Sequence, residues 1–157
     1  MVKYGWIALA AVALDQGVKA LARHAEGFTL IPGVLAFTYA ENTGMAFSLF
    51  SGRPWLLALL SLGLMVLGWR ILRRYRLGPW SRTAAMMMLG GAVGNLIDRL
   101  LTGYVVDMFE VLFVRFAIFN VADAFLTVGC ILMAASLLLR PQEWSEKGHG
   151  DTQGDPV

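Results

Sequence analysis

Apolar residues along the chain gather into four long runs separated by polar stretches. The first covers about residues 4–22 and is interrupted by Asp15 and Lys19. The second covers 54–72 and carries no charge from Pro54 to Trp69. The third covers 81–100 and is uncharged from Thr83 to Ile97. The fourth covers 116–139, and its only ionisable carboxylic acid is Asp123. A helix crosses the hydrocarbon core, about 30 Å thick, with about 20 mostly apolar residues. The runs therefore predict four transmembrane helices. The first also has the outline of a signal peptide, with Lys3 ahead of "WIALAAVALD". We read it as a span, because three more spans follow and Asp15, Gln16 and Lys19 would fall just past a cleavage site.

Between the first two runs lies 23–53, too long for a simple connector. Its stretch "GVLAFTYAENTGMAFSLF" is rich in β-branched and aromatic residues with partial alternation, Phe37 and Tyr39 on one face. That predicts a short sheet lying on the membrane surface. The tail "PQEWSEKGHGDTQGDPV" is polar with Gly and Pro and reads as disordered. The expected organisation is one membrane-embedded all-α domain over 1–140, with a polar cytoplasmic tail over 141–157.

Composition agrees. Hydrophobic residues make up 57% and charged residues 15%, with a mean hydropathy of +0.62. A soluble domain has about 45–50% and about 25%. Net charge is only +2, and Lys and Arg flank apolar runs, which argues against nucleic acid. Lys3, Arg70, Arg73, Arg74, Arg76, Arg82, Arg140 and Lys147 fall on one side of the four spans. Lys19, Arg23, Arg53, Arg99 and Arg115 fall on the other. The positive-inside rule then makes both termini and 70–82 cytoplasmic, and turns 23–53 and 101–115 outward. The single cysteine, Cys130, rules out an intramolecular disulfide and a metal site built on paired cysteines, and reads as a small buried hydrophobe. The two histidines, His24 and His149, form no HExxH motif and no serine–histidine pair that competes.

This topology places the polar residues of the spans by depth. Asp15 and Lys19 are i,i+4 near the outer end of the first span. Asn95, Asp98 and Arg99 share a face at the outer end of the third. Asn120 and Asp123 open the fourth, and Asp107 lies in the loop before it. Asp123 is expected about 8–10 Å below the start of its helix, at about 1.5 Å per residue. Simpler structural readings exist. Asp15–Lys19 serves as a neutralising pair, Lys19 or Arg99 as snorkelling side chains, and Asp98–Arg99 as an anchor. Gly90 and Gly94 have the GxxxG spacing of helix packing. Asp123 is harder to dismiss, because a charged acid at the bilayer centre costs about 2.5–3.5 kcal/mol even on the gentler scale. A structural Asp123 paired with Arg99 or Lys19 stays open on pattern alone.

Asp107 and Asp123 are close enough in sequence for the loop to bring them together. Two adjacent carboxylates share one proton and titrate in two macroscopic steps. Such a dyad polarises water with its charged member and donates to an oxyanion with its neutral one. The alternatives are a small proton-coupled carrier with Asp15, Asp98 and Asp123 as a relay, and a non-catalytic membrane scaffold. A relay needs acids at several depths, whereas these cluster at one level.

Five stretches together carry a family resemblance: "LDQGVK", "ENTGMAFS", "GGAVGNLIDR", "VVDM" and "FNVADA". In this order the chain resembles lipoprotein signal peptidase (signal peptidase II), the bacterial membrane aspartyl protease family, over about residues 4–139. The resemblance implies Asp107 and Asp123 as the catalytic dyad. It implies Asn42, Asn95, Arg99 and Asn120 lining the site, Gly44 and Asp98 within its motifs, and Asp15 and Lys19 in support. It also implies four transmembrane helices, a small periplasmic β-sheet cradle and a short surface helix, the last two mainly in 23–53. The implied substrate is a prolipoprotein cut just before a diacylglyceryl-modified cysteine by a monomer in the inner membrane. No metal or organic cofactor is implied. Met45 and Met108 depart from the family pattern, and the Asp107–Asp123 separation is slightly short.

Overall fold

The computed structural model describes residues 2–44 and 50–146. Four helices dominate: α1 (Gly5–Ala22), α2 (Pro54–Leu72), α3 (Pro79–Leu101) and α4 (Val121–Leu139). All four are long and apolar enough to cross a membrane. Prolines at the first turns of α2 and α3 sit where the missing N–H would have no partner. Two antiparallel sheets connect the helix ends. Strands β1 (Phe28–Ile31), β2 (Leu35–Asn42) and β4 (Val105–Val111) pair in the order β1-β2-β4. They join the C-terminal ends of α1 and α3 to the N-terminal ends of α2 and α4. At the other helix ends, β3 (Tyr75–Leu77) pairs with β5 (Trp144–Glu146).

Helix α3 packs against α1 on one side and α4 on the other, and its glycines make this possible. A Cβ on Gly90 would lie 2.6 Å from Ala11 Cβ and 2.9 Å from the Ala8 carbonyl oxygen. One on Gly91 would run into the Ala122 carbonyl oxygen of α4, and one on Gly94 would sit 2.6 Å from Asp15 Oδ2. The GxxxG pair is thus a packing feature, and it clears the space into which Asp15 reaches. Helix α2 behaves differently. It rests on α3 and buries only Leu57 and Ala58. A groove of about 820 Å³ runs between α2, α3 and α4.

Four expectations change. Helix α4 starts at Val121, not near 116, because Phe119 is extended and bridges to Phe109 of β4. Apolar content does not distinguish extended chain from helix, but the Asn120 capping box does. Asp123 is therefore in the first turn rather than 8–10 Å along the helix. Ordered structure continues past 140: a 3-10 turn (Pro141–Glu143) and β5 follow α4, while 147–157 lie outside the described residues. The described residues of 23–53 form strands and turns. The expected surface helix is not among them, and 45–49, with Met45, lie outside them. Cys130 is exposed on α4 rather than buried, so it faces the helix surroundings.

Candidate active site

Asp107 sits in β4 opposite Ala40 of β2, and the strand period of two decides where it points. Its neighbours Val106 and Met108 are fully buried and pack with Ala22 at the end of α1. Asp107 faces the opposite way, toward α3 and α4. Met108 therefore alters packing beneath the strand and not the site. Asn42 pairs with Val105, two positions from Asp107 on the same face. Its Nδ2 donates to Asp107 Oδ2 at 2.9 Å.

Asp123 arrives from the other direction as the third residue of α4. Its backbone N–H donates to Asn120 Oδ1 at 2.8 Å, and Asp123 Oδ2 lies 3.4 Å from the Asn120 N–H, closing a reciprocal cap. The Phe109–Phe119 bridge pulls this helix start against β4, through Phe119 N to Phe109 O at 3.1 Å and Phe109 N to Phe119 O at 2.9 Å. Asn120 then joins the two acids, since its Nδ2 donates to Asp107 Oδ1 at 2.6 Å. A sixteen-residue separation in sequence becomes one side chain in space.

Amide orientation follows from what each partner can do. Lys19 is fully buried, and its ammonium has three protons and no acceptor. It meets three oxygens: Asp15 Oδ2 at 2.8 Å, Asp98 Oδ2 at 3.0 Å and Asn95 Oδ1 at 3.0 Å. Asn95 must therefore turn its oxygen to Lys19 and its Nδ2 to Asp123 Oδ1, at 2.8 Å. Asn120 Nδ2 also donates to Asn95 Oδ1 at 3.1 Å. Asp15 Oδ1 accepts from Ala122 N at 2.8 Å, so α1 satisfies an open N–H at the start of α4. Asp98 Oδ2 accepts from Val106 N at 3.1 Å and thereby anchors β4. Among the described residues no buried side-chain polar atom lacks a partner.

Arg99 donates to the Asn95 carbonyl at 3.4 Å and the Gly44 carbonyl at 3.3 Å. The Gly44 N–H in turn reaches Asn42 Oδ1 at 2.9 Å. Every site residue expected from the sequence resemblance thus falls in one connected network. Two pairings differ from the simpler readings. Asp98 pairs with Lys19 rather than serving Arg99 as an anchor. Asp123 takes its hydrogen bonds from Asn95 and Asn120 and not from a cation. Sequence reasoning missed Gln16, whose Nε2 donates to Asp15 Oδ2, Gly94 O and Asp98 Oδ1 at 3.2, 3.2 and 3.1 Å. Its position three residues before Lys19 on the same polar face was the available signal. Phe119 was missed too, and nothing in an apolar run marks a bridge.

The two acids lie where two cavities meet. The large groove reaches Asn95, Arg99 and Asp123. A second cavity, of about 480 Å³, also holds Asp107, Asn42 and Thr127. Burial pushes the Asp107 carboxyl up to about 6, and Asp123 pushes the same way, while the Asn42 and Asn120 hydrogen bonds pull it down. A carboxyl tuned toward neutrality beside a second carboxylate, at the end of an apolar groove, is suited to acid–base chemistry.

The family model described as signal peptidase (SPase) II matches residues 7–139. The chain belongs to the signal peptidase II family. A relative from Streptococcus pyogenes serotype M6, named lipoprotein signal peptidase, is 40% identical over 124 residues, covering 77% of this chain and 76% of the relative. Another of that name, from Nostoc sp., is 42% identical over 120 residues and covers 74% of each chain. Two solved structures, both described as bacterial membrane enzymes, superpose with TM-scores of 0.82 and 0.78 at 29% and 30% identity. The first covers 94% of each chain, the second 88% of this chain and 94% of its own. The signal peptidase II family is an aspartic-protease family, and this member is a multi-pass membrane enzyme. The carrier reading finds no support among these relatives.

Proposed function

We propose that this enzyme cuts prolipoproteins at the peptide bond before the diacylglyceryl-modified cysteine, with Asp107 and Asp123 as its dyad. The observation that carries this reading is Asn120 linking the two acids at the end of an apolar groove, its Nδ2 donating to Asp107 Oδ1 and its backbone N–H to Asp123 Oδ2. The pair holds one proton between them. The charged member takes a proton from water as its oxygen attacks the scissile carbonyl carbon. The neutral member gives its proton to the carbonyl oxygen, producing a gem-diol. As the carbon–nitrogen bond breaks, the diol returns a proton to one carboxylate and the other protonates the leaving amine. Water is consumed, and an acid, an amine and a singly protonated dyad remain. No step needs a metal. Asn42, Asn95 and Asn120 hold the carboxylate oxygens in place, Arg99 positions the Gly44 segment, and Asp15, Lys19, Asp98 and Gln16 brace the whole.

The same reading sets both termini in the cytoplasm and the β1-β2-β4 sheet near the outer face of a bacterial inner membrane. The distribution of Lys and Arg supports it. The site network comes from a single chain, so a monomer suffices. The test is purified protein with a diacylglyceryl-modified prolipoprotein in the presence of a chelator. Mass spectrometry should find a product beginning at the lipidated cysteine, and the unlipidated precursor should stay intact. No product, or equal cutting of both forms, would overturn the proposal.

A pH dependence follows from Asp107. Its folded value of about 6 is above the ordinary carboxylate value, so the proton is held below that pH and lost as pH rises through it. Activity should decline on the alkaline side as the shared proton goes. Asn42→Ala removes a hydrogen bond that favours the charged form, so the alkaline limb of kcat/KM should move to higher pH. A limb that stays or moves down contradicts the role given to Asn42.

A further inference from the structure

The groove that begins at Asp123 extends along α4 toward the β3–β5 sheet. Its other end is lined by Tyr75 and Trp144. These belong to β3 and β5, whose rings meet edge to face at 5.6 Å. The segment after α4 is held firmly in this place. Glu143 carries its carboxylate to the start of α3, where Oε2 accepts from Ser81 N at 3.0 Å and Ser81 Oγ at 3.2 Å. The Gly78 N–H donates to the Glu143 carbonyl at 2.9 Å, and a Cβ on Gly78 would meet the Glu143 side chain at 2.5 Å. Trp144 Nε1 donates to Ser136 Oγ at 3.3 Å, and Ser81 Oγ reaches the same atom at 3.1 Å. Ser81 and Ser136 are fully buried. Arg140 stacks over Trp80 with its guanidinium 4.2 Å from the ring centre. Residues 140–146 thus form a strap that ties α4 to α3 and holds Trp144 against the lining of the groove.

Groove length identifies what reaches this floor. Asp123 and Leu137 line opposite ends of one helix face, and 137 − 123 = 14 residues of α4 span about 21 Å. An acyl chain held at the outer interface extends through one leaflet, about 15 Å of the roughly 30 Å core. It stops short of the floor. The apolar segment of a signal peptide has about 7–15 residues, which as a helix spans about 10–22 Å. Its upper limit matches the groove.

We propose that the strap makes Trp144 and Tyr75 a specificity-determining floor, against which the inner end of the signal peptide's apolar helix comes to rest. This rests on the signal-peptidase reading and adds to it an upper limit on segment length. A segment longer by one turn drives its end into the aromatic pair, or withdraws the scissile bond from Asp123. Either way the longer substrate is discriminated against.

The test uses the full-length enzyme and a diacylglyceryl-modified prolipoprotein whose apolar segment is kept at about 14 residues or lengthened by about 4, one helical turn. Wild type should process the lengthened form about 10-fold less efficiently, within the range a pocket wall imposes. Trp144→Ala should raise the ratio of kcat/KM for long over parent substrate about 10-fold. Trp144→Phe keeps the bulk and should leave that ratio at the wild-type value. A Trp144→Ala effect equal on both substrates, or no length dependence in wild type, overturns the floor. A readout independent of cleavage separates the two readings. Leu137→Cys with Cys130→Ser should crosslink to a cysteine at the inner end of the apolar segment and not to one at its middle. Crosslinking at that end without any cleavage would sink the protease reading and keep the floor's contact. Cleavage without crosslinking, as when membrane lipid fills the inner groove, would sink the floor alone.

Discussion

Asp107→Asn and Asp123→Asn should each lower prolipoprotein cleavage by about 10²–10⁴-fold or more, because each removes one half of the proposed acid–base pair. The two are not equivalent structurally. Asp107 accepts from two amide donors, Asn42 Nδ2 and Asn120 Nδ2. An asparagine there turns its own NH2 toward one of them, so a small local rearrangement follows. Asp123 also closes the α4 cap through Oδ2 at 3.4 Å. That contact is long, and Asn120 still accepts from residue 123 N at 2.8 Å. Both variants should therefore fold, with melting temperatures in detergent within a few degrees of wild type. Mass spectrometry of the product over a long time course measures the residual rate. Activity within ten-fold of wild type in either variant would remove the dyad assignment, since the acid replaced there would not be carrying a proton in the rate-limiting step.

Lys19→Met should be the most damaging substitution for stability. Methionine fills similar volume but leaves Asp15 and Asp98 buried without their cation. At 0% and 1% exposure neither carboxylate can recover water. Arg23 lies 3.9 Å from Asp98 and is partly exposed, so it offsets little. Breaking a buried ion pair on one side costs about 3–5 kcal/mol. Total stability of a domain is about 5–15 kcal/mol, so the variant should melt far earlier or fail to accumulate. Adding Asp15→Asn and Asp98→Asn removes the stranded charges and should restore part of the loss. Thermal unfolding of the single and triple variants in one detergent decides it. If Lys19→Met melts like wild type, the ion cluster is not what holds α1, α3 and β4 together.

The relation between chain and site is uneven along the molecule. The four spans were legible because crossing a bilayer demands a run of apolar residues whose length is set by membrane thickness. The acids and asparagines were legible for the complementary reason. A polar side chain inside an apolar run is disfavoured unless it has partners, so each one advertises a network. Asp15 and Lys19 pair at 2.8 Å as their i,i+4 spacing predicts. The start of α4 was misplaced because Phe116–Phe119 is as apolar as the helix after it, and hydropathy ignores φ and ψ. The Asn120-to-Asp123 capping spacing held the missing information. The order of 141–146 was hidden for a similar reason. "PQEWSE" has the composition of a loop, and only Glu143 meeting Ser81 across sixty-two positions gives it a place.

Sequence alone determined the class of molecule, the number of spans and the residues able to do proton chemistry, because hydropathy and ionisation are properties of side chains one at a time. It determined neither the meeting of Asp107 with Asn120 nor the orientation of the Asn95 amide. Those depend on the Phe109–Phe119 bridge, on glycines that let α3 approach α1 and α4, and on a lysine that offers only donors. Distances between residues far apart in the chain are set by packing, which a linear pattern does not encode one position at a time. The tertiary structure decided that two acids separated by a loop share an asparagine, and that Tyr75 and Trp144 line the groove leading to them.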